Sequence, residues 1–240
     1  MIGDLDSTRD LSVCRICAQP SPLWFTTNRP FHRCSSCFLL QTHALGAESD
    51  HEEFYQRHYG GGGECGPREE QRDQDRIWCG ALLQAGQRLG KSARDLAVLD
   101  YGCGGGGAVS ALRVAGADAW GVDPYLAERD ASEHVLRGRA TLLFPHASFD
   151  VVGAREVLEH LPSPWNDLYA IDHVLRKPGG LLFSVHLFES SLGSDQVAGD
   201  WYCADPTHVT FYSPEAIAAI VRRLQWRLLV LSRNVFLALK

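Results

Sequence analysis

Hydrophobic positions change their spacing near residue 90. From Arg68 to Leu89, apolar side chains recur at helical intervals, which predicts one amphipathic helix with Ile77, Trp78, Leu82, Leu83 and Leu89 on its inner face. After Gly90, short apolar runs alternate with helix-forming stretches, a pattern typical of βαβ units around a parallel sheet. The predicted strands are 96–100, 119–123, 149–153 and 180–186, with two closing strands at about 226–232 and 235–239. The pattern therefore predicts an α/β domain over 67–240.

Local signals mark one further helix and one connector. Ser213 can cap a helix over Pro214–Leu224, because Pro214 suits the first turn and Glu215 complements the helix dipole. In the connector 44–66, aromatic residues at 54, 55 and 59 precede a run of four glycines at 60–63. Such a run, followed by a proline, predicts a mobile junction or lid.

Four of the eight cysteines form two C-x2-C pairs: Cys14 with Cys17, and Cys34 with Cys37. In a reducing compartment this spacing favours a metal over disulfides, and two such turns can direct four thiolates to one tetrahedral zinc ion. Four soft ligands leave no open coordination position, so the predicted site is structural. Segment 11–43 is thus predicted to be a small zinc-binding module, the alternative being four cysteines without metal.

Composition limits the compartment and the partners. The 240 residues are 45% hydrophobic with a net charge of -6, which is ordinary for a globular protein and unfavourable for nucleic-acid binding. The start of the chain does not resemble a secretory signal, and no apolar run approaches the roughly 18 residues of a membrane span. We expect a soluble, cytoplasmic protein. The nearest candidate for a basic patch, Arg222, Arg223 and Arg227, is interpreted as the solvated face of a helix.

A glycine turn follows the first predicted strand. Asp100 ends this strand, and Gly102, Gly104 and Gly106 follow, where the chain must turn sharply and lie close to a ligand. Asp123 ends the next strand, where an acidic side chain can accept hydrogen bonds from both hydroxyls of a ribose. The combination predicts a nucleotide-type cofactor site, in either a dehydrogenase or a methyltransferase.

Three later segments separate these alternatives. Segments 148–152, 156–161 and 175–182 closely resemble the fourth-strand and fifth-strand signatures of class I S-adenosylmethionine-dependent methyltransferases. The resemblance covers about 96–186 and implies a Rossmann-like sheet with helices on both faces. It also implies that Asp100 and the three loop glycines surround the methionine part of the cofactor, that Asp123 holds the ribose, and that Glu156 lies near the reacting centre. Residues 141–144 lack the acidic residue common there, which leaves the adenine contacts open.

Segment 201–214 resembles a D-P-T-H-x-x-F-Y-S motif that in bacterial small-molecule methyltransferases forms the acceptor pocket, often beside a four-cysteine module. The resemblance implies that His208 and Tyr212 touch substrate, although His208 can equally hold the loop in shape. His186, where the family commonly has proline, is the second candidate base, since histidine titrates near neutral pH. Glu156, Glu159 and His160 resemble a trio associated with a divalent metal in ubiquinone-biosynthesis O-methyltransferases; the alternative is that they pack the following helix.

Three functions follow from these patterns. The leading hypothesis is methyl transfer from S-adenosylmethionine to a small molecule, for instance an O-methylation in secondary metabolism, with the zinc module closing the pocket. The second is an RNA methyltransferase, against which stands the small number of cations in segment 11–43, namely Arg15, Arg29 and Arg33. The third is a non-catalytic cofactor-binding scaffold. The acceptor, its reacting atom and the oligomeric state are not determined by the sequence.

Overall fold

The computed structural model describes residues 11–43 and 69–240. These residues form two compact units. The cysteine unit comprises 11–43, 158–165 and 186–224, and the sheet unit comprises 69–157, 166–185 and 225–240. The predicted connector 44–66 lies outside the described residues.

Twelve strands and seven α-helices are present in the described residues. The strands are β1 (Leu11–Val13), β2 (Pro20–Thr26), β3 (Pro30–Arg33), β4 (Leu40–Gln41), β5 (Ala97–Tyr101), β6 (Asp118–Asp123), β7 (Val135–Arg137), β8 (Phe149–Arg155), β9 (Leu175–Ser184), β10 (Thr210–Phe211), β11 (Arg227–Ser232) and β12 (Val235–Leu239). The helices are α1 (Glu69–Arg88), α2 (Gly107–Val114), α3 (Ala140–Leu143), α4 (Pro164–Val174), α5 (Ser194–Ala198), α6 (Trp201–Ala204) and α7 (Pro214–Leu224). No helix in this described part is long and apolar enough to span a membrane.

The sheet unit contains seven strands in the order β11-β12-β9-β8-β5-β6-β7. Strands β5 to β9 are parallel, while β12 runs antiparallel to both β9 and β11. The chain moves from β5 outward to β7 and then returns to the other side of β5 as β8, which makes β5 and β8 a topological switch point. In open α/β sheets, ligands bind beyond the carboxyl ends of the strands at such a point. The predicted α/β, Rossmann-like fold is confirmed.

The core of this unit explains why its central strands are continuously apolar. Helices on a parallel sheet bury the strand side chains, and every residue of β5 is buried. Helix α1 packs Trp78, Leu82 and Ala85 into the same core. The prediction that Ile77 faces inward is wrong: 67% of this residue is exposed, because the buried stripe of α1 passes through its neighbours Trp78 and Cys79.

The cysteine unit contains a five-stranded sheet in the order β1-β2-β3-β4-β10. Strand β10 pairs antiparallel with β4, so a strand from the far end of the sequence completes the sheet that the cysteine segment begins. Its core is shared in the same way, since Phe31 and Leu40 cluster with Phe188, Tyr202 and Phe211. Segment 11–43 has few apolar residues for a core of its own, and residues 186–224 supply the rest.

Predicted and observed boundaries agree best where local signals are strong. Helix α7 and strand β12 have the predicted bounds, and α1 differs from its prediction by one residue at each end. Strand β9 begins at Leu175, five residues before the predicted start, because residues before the apolar run continue its extended backbone. The short strands β1 to β4, β7 and β10 were not predicted, since two to seven residues carry little periodicity.

Candidate functional site

The glycine turn lies between β5 and α2, at the carboxyl end of the central strand. Gly102, Gly104 and Gly106 have φ angles of 76°, 50° and 75°, in the left-handed region that glycine adopts without strain. A Cβ atom at Gly102 would lie 2.5 Å from Val157 Cγ2, and one at Gly106 would collide with Val135. Both the backbone conformation and the close packing therefore require glycine at these two positions.

Asp123 ends β6 beside this turn. Its Oδ2 accepts a hydrogen bond from the Gly104 N–H at 3.0 Å, and its Oδ1 accepts one from the Tyr125 N–H at 2.8 Å. Burial raises the pKa of Asp123, although both N–H groups act in the opposite direction. A carboxylate has about four acceptor positions, so these bonds leave capacity for ribose hydroxyls. Asp123 also fixes the turn, a role that the sequence did not suggest.

Asp100 belongs to β5, and its side chain is buried beneath α1. Its Oδ1 accepts a hydrogen bond from Trp78 Nε1 at 3.0 Å, and burial raises the pKa of its carboxyl group to about 6. A buried carboxyl group with a raised pKa gains stability from a nearby cation. The α-ammonium group of a methionine moiety would supply one.

Together these residues fit S-adenosylmethionine. The turn offers backbone without side chains at the switch point, Asp123 offers acceptors for a ribose, and Asp100 offers a negative charge for an ammonium group. Residues 140–143, in the segment for which the sequence leaves the adenine contacts open, form the short helix α3.

The four cysteines of segment 11–43 converge on one point. Their Sγ atoms all lie within 4.8 Å of one another, with 3.5 Å between Cys14 and Cys37 and 3.4 Å between Cys17 and Cys34. The N–H groups of Ser36 and Cys37 point at Cys34 Sγ, each at 3.4 Å. A hydrogen bond from Cys37 lowers the pKa of Cys14 to about 5, and the pKa of Cys37 is raised in turn. The donor set has the number and type of a closed zinc site.

A second cluster in the cysteine unit joins Glu159, His160 and His208, whose ligand atoms also lie within 4.8 Å of one another. His208 Nδ1 lies 2.9 Å from the Tyr202 carbonyl oxygen, and His160 Nδ1 lies 3.3 Å from that of Thr207. A carbonyl oxygen only accepts, so both Nδ1 atoms carry protons and a neutral ring keeps its lone pair on Nε2. Two imidazoles and a buried carboxylate can move a proton or hold a divalent metal.

The other predicted catalytic residues are placed as follows. His186 is half-buried against Phe188 and Tyr202, with Nε2 3.9 Å from Asp200 Oδ2. Tyr212 is completely buried, and its hydroxyl donates to the Leu158 carbonyl at 3.2 Å. Glu156 belongs to the sheet unit, where it is exposed with a φ of 50° and its N–H bonds to Ser184. The structure thus groups Glu159 and His160 with His208, and Glu156 is not part of that group.

Sequence reasoning missed two arginines that hold elements together, one in each unit. Arg155, the last residue of β8, pairs with Asp75 of α1. Arg29 donates to the carbonyl oxygens of Cys203, Asp205 and Pro206. Arg155 has one local signal in the sequence, its charge directly after the apolar run of β8. Nothing in the local sequence indicates the partners of Arg29.

Comparison with known proteins agrees with this geometry. The family model of the methyltransferase domain matches residues 70–231. The ubiquinone biosynthesis O-methyltransferase of Methylococcus capsulatus is 39% identical over 99 residues, covering 35% of this chain and 40% of that protein. The enzyme of the same name from Aromatoleum aromaticum is 29% identical over 147 residues, covering 52% of this chain and 62% of that protein. Both alignments span less than two thirds of the relative.

Among solved structures, the 1,6-didemethyltoxoflavin-N1-methyltransferase of Burkholderia thailandensis aligns with a TM-score of 0.54 at 16% identity. The alignment covers 91% of this chain and 97% of that one, and that structure contains 1,6-didemethyltoxoflavin and S-adenosylhomocysteine. At this identity the similarity shows the fold. The matched family model shows that this chain belongs to the methyltransferase domain family, and the sheet order and the glycine turn beside Asp123 are those of the class I methyltransferase fold.

Proposed function

We propose that this protein transfers the methyl group of S-adenosylmethionine to a hydroxyl oxygen of a small molecule. The observation that carries the proposal is the glycine turn with Asp123 at the switch point of the sheet. The names of the curated relatives favour oxygen as the acceptor atom. Both are named for ubiquinone biosynthesis, so secondary metabolism finds no support in these comparisons, and the proposal names no pathway.

The chemistry requires alignment and removal of one proton. The acceptor oxygen displaces the sulfur at the methyl carbon, S-adenosylhomocysteine leaves, and the hydroxyl proton passes to a base. The sulfonium is already activated, so binding groups chiefly hold the reacting atoms in line and exclude water. The glycine turn, Asp100 and Asp123 would hold the cofactor.

Among the predicted catalytic residues, His208 is the preferred base. Its bond to the Tyr202 carbonyl fixes the ring with a proton on Nδ1, so the neutral imidazole would accept a proton at Nε2, as a base requires. Asp205 Oδ2 lies 3.9 Å from that nitrogen and can stabilise the imidazolium once it forms. Burial alone would raise the pKa of Asp205, but hydrogen bonds from Thr207 and the nearby imidazoles hold it below its usual value, so Asp205 stays charged.

His186 is the alternative base, because it is more exposed and packs on the same Tyr202 ring. The buried Tyr212 hydroxyl already bonds to a carbonyl, which supports a packing role for that residue. The exposed Glu156 with its left-handed backbone remains a candidate near the end of β8, since strained residues concentrate at functional sites.

The transferase activity is tested by incubating the purified protein with S-adenosylmethionine and a panel of phenols, catechols, amines and thiols. We expect S-adenosylhomocysteine and a methylated phenol or catechol, both detected by mass spectrometry. Methylation confined to amines or thiols would overturn the choice of oxygen. Absence of cofactor binding in calorimetry would overturn the proposed activity.

His208 is tested with the acceptor found in that panel. His208→Ala should lower kcat by about 10²-fold or more while leaving S-adenosylhomocysteine affinity unchanged. His186→Ala is the matched comparison and should retain most activity. Full activity in His208→Ala with loss in His186→Ala would transfer the role to His186. Loss of wild-type activity in EDTA, restored by Mg²⁺, would show instead that Glu159, His160 and His208 hold a metal.

We further propose one structural zinc ion on Cys14, Cys17, Cys34 and Cys37, supported by the spacing of the four Sγ atoms. Metal analysis of the purified protein should give about one zinc per chain. Cys34→Ser should lose the metal, whereas Cys79→Ser, a buried cysteine in α1, should keep it. Zinc content that is the same in Cys34→Ser and wild type would refute the assignment.

The RNA alternative loses support from the contacts of the three arginines in segment 11–43. Arg15 donates to the carbonyl oxygens of Thr42 and Val209, and Arg29 to those of the 203–206 turn. Arg33 donates to the Ser190 carbonyl and lies over the Trp24 ring. All three arginines in the described part of the segment already have partners within the protein. None of them is therefore available to bind RNA phosphates.

A further inference from the structure

Arg155 makes one strong contact and leaves one donor group unused. Its Nη2 donates to Asp75 Oδ1 at 2.7 Å, with 26% of the Arg155 side chain and 13% of the Asp75 side chain exposed. Its Nη1 is buried and forms no hydrogen bond to any residue that the structure describes. A buried guanidinium N–H without an acceptor is costly, which points to a ligand that supplies one.

The position of Arg155 follows from the sheet register. Gly153 of β8 is opposite Asp100 of β5, and residues two apart on a strand share a face, so Arg155 lies on the face of Gly153. A Cβ at Gly153 would lie 3.3 Å from both Asp100 Oδ1 and Trp78 Cζ2, so this is the face that α1 covers. Arg155 is therefore the next residue of β8 on this face after Gly153, the neighbour of Asp100, toward the carboxyl ends of the strands.

Asp75 connects Arg155 to the glycine turn. It lies one helical turn before Trp78 on α1, and a Cβ at Gly107, the first residue of α2, would collide with its carboxylate. Gln71 Nε2 also donates to Asp75 Oδ1, at 3.1 Å. Asp75 is thus held against the start of α2 and in turn orients the guanidinium of Arg155.

Two other cations on α1 and α2, within the described residues, are engaged elsewhere. Arg76 pairs with Asp73 on the exposed side of α1. Arg113, at the end of α2 remote from the turn, contacts Asp118 and the Ala119 carbonyl. Among the described residues, Arg155 acts on the Asp100 carboxyl group through its charge, which lowers the pKa that burial raises.

We propose that Arg155 binds the α-carboxylate of the methionine part of S-adenosylmethionine through Nη1, with Asp75 as the positioning residue. The inference rests on the cofactor of the proposed function. The amino-acid end of that cofactor is a zwitterion, and Arg155 and Asp100 present the two complementary charges on one face of the sheet. Guanidinium–carboxylate bonds are charge-assisted and directional, so they also orient the methionine chain that carries the methyl group.

The test compares two ligands by calorimetry. S-adenosylhomocysteine has the carboxylate, whereas 5′-methylthioadenosine has the same nucleoside and thioether without the amino-acid end. Arg155→Gln should raise the Kd of S-adenosylhomocysteine at least tenfold and change the Kd of 5′-methylthioadenosine less than twofold. Arg155→Lys, which keeps the charge and loses the fork geometry, should give a smaller loss for S-adenosylhomocysteine alone.

The matched control is Arg176→Gln. Arg176 binds Asp150 at the opposite end of β8, at 3.0 Å, so its removal should leave both affinities unchanged once thermal melting shows a folded protein. Equal weakening of both ligands in Arg155→Gln, or unchanged affinity for S-adenosylhomocysteine, would overturn the role of Arg155 alone. If wild type binds neither ligand, the cofactor assignment fails and this inference fails with it.

Discussion

At the scale of single residues, Asp100 lowers the stability of the folded protein but is well placed to bind the cofactor. The carboxyl group has a pKa of about 6 in the folded protein against 3.8 as its ordinary value, because burial removes its water. The folded state therefore binds a proton more readily than the unfolded state, and the free energy of unfolding falls as the pH rises from about 4 to 6. Above this range the cost is present in full.

Asp100→Asn should remove this pH dependence. The amide is never charged and can still accept from Trp78, so we expect the variant to be more stable than wild type at pH 8, by up to about 3 kcal/mol, with a much smaller difference near pH 4. Urea denaturation at both pH values measures it. The same variant should bind S-adenosylmethionine more weakly. A constant stability difference at the two pH values would contradict the account.

Asp123 both holds the glycine turn and offers acceptors to the ribose, so one substitution tests both roles. Asp123→Ala removes acceptors for the ribose and the bonds that hold Gly104 and Tyr125, so S-adenosylhomocysteine affinity should fall by about 2 kcal/mol, roughly 30-fold. Asp118→Ala, an exposed position at the start of the same strand, is the control and should bind normally. Calorimetry measures the affinity of both variants for S-adenosylhomocysteine. Equal affinities would remove Asp123 from the site.

At the scale of elements, Arg29 connects the β2–β3 turn of the cysteine segment to the end of α6 and the residues that follow it. It is 4% exposed, and its guanidinium donates to four carbonyl oxygens, those of His43, Cys203, Asp205 and Pro206. Residues 203–206 precede His208, so the arginine helps to fix the loop that carries the proposed base.

Arg29→Met should therefore destabilise the cysteine unit by about 3 kcal/mol, because buried carbonyl groups lose a charged donor. Its urea midpoint should fall, and limited proteolysis should cut within residues 200–208 sooner than in wild type. Arg222→Met, an exposed position on α7, provides the comparison and should leave both measurements unchanged. Normal resistance of the 200–208 turn in Arg29→Met would refute this role.

Elements also show where sequence reasoning works. Helix α7 was predicted to the residue because Ser213 caps it, with its hydroxyl bonded to the Ala216 N–H, and because Pro214 suits the first turn. The same Ser213 hydroxyl donates to the Cys37 carbonyl, 176 residues away, and no local signal announces that bond. The sequence therefore predicts the bounds of the helix but not the hydrogen bond that attaches it to Cys37.

At the scale of the whole molecule, the charge distribution predicts poor nucleic-acid binding. The net charge is -6, and the arginines of segment 11–43 bind carbonyl groups of the protein itself. A labelled RNA hairpin should show no saturable change in fluorescence anisotropy at about 150 mM salt, since phosphate binding requires available cations. Tight, salt-dependent binding would favour the RNA methyltransferase hypothesis over a small-molecule acceptor.

The sequence by itself determined the features that consecutive residues encode. The apolar runs of β5 and β8, the glycine turn followed by Asp123, and the two cysteine pairs are short patterns whose meaning depends on backbone geometry and ligand chemistry, so they could be recognised without coordinates. Only the tertiary structure showed that Arg155 meets Asp75, that Arg29 meets the 203–206 turn, and that Glu159 and His160 join His208. Each of these contacts joins residues that are 48 to 177 positions apart, and such contacts depend on how the whole chain packs and not on the preference of any one segment.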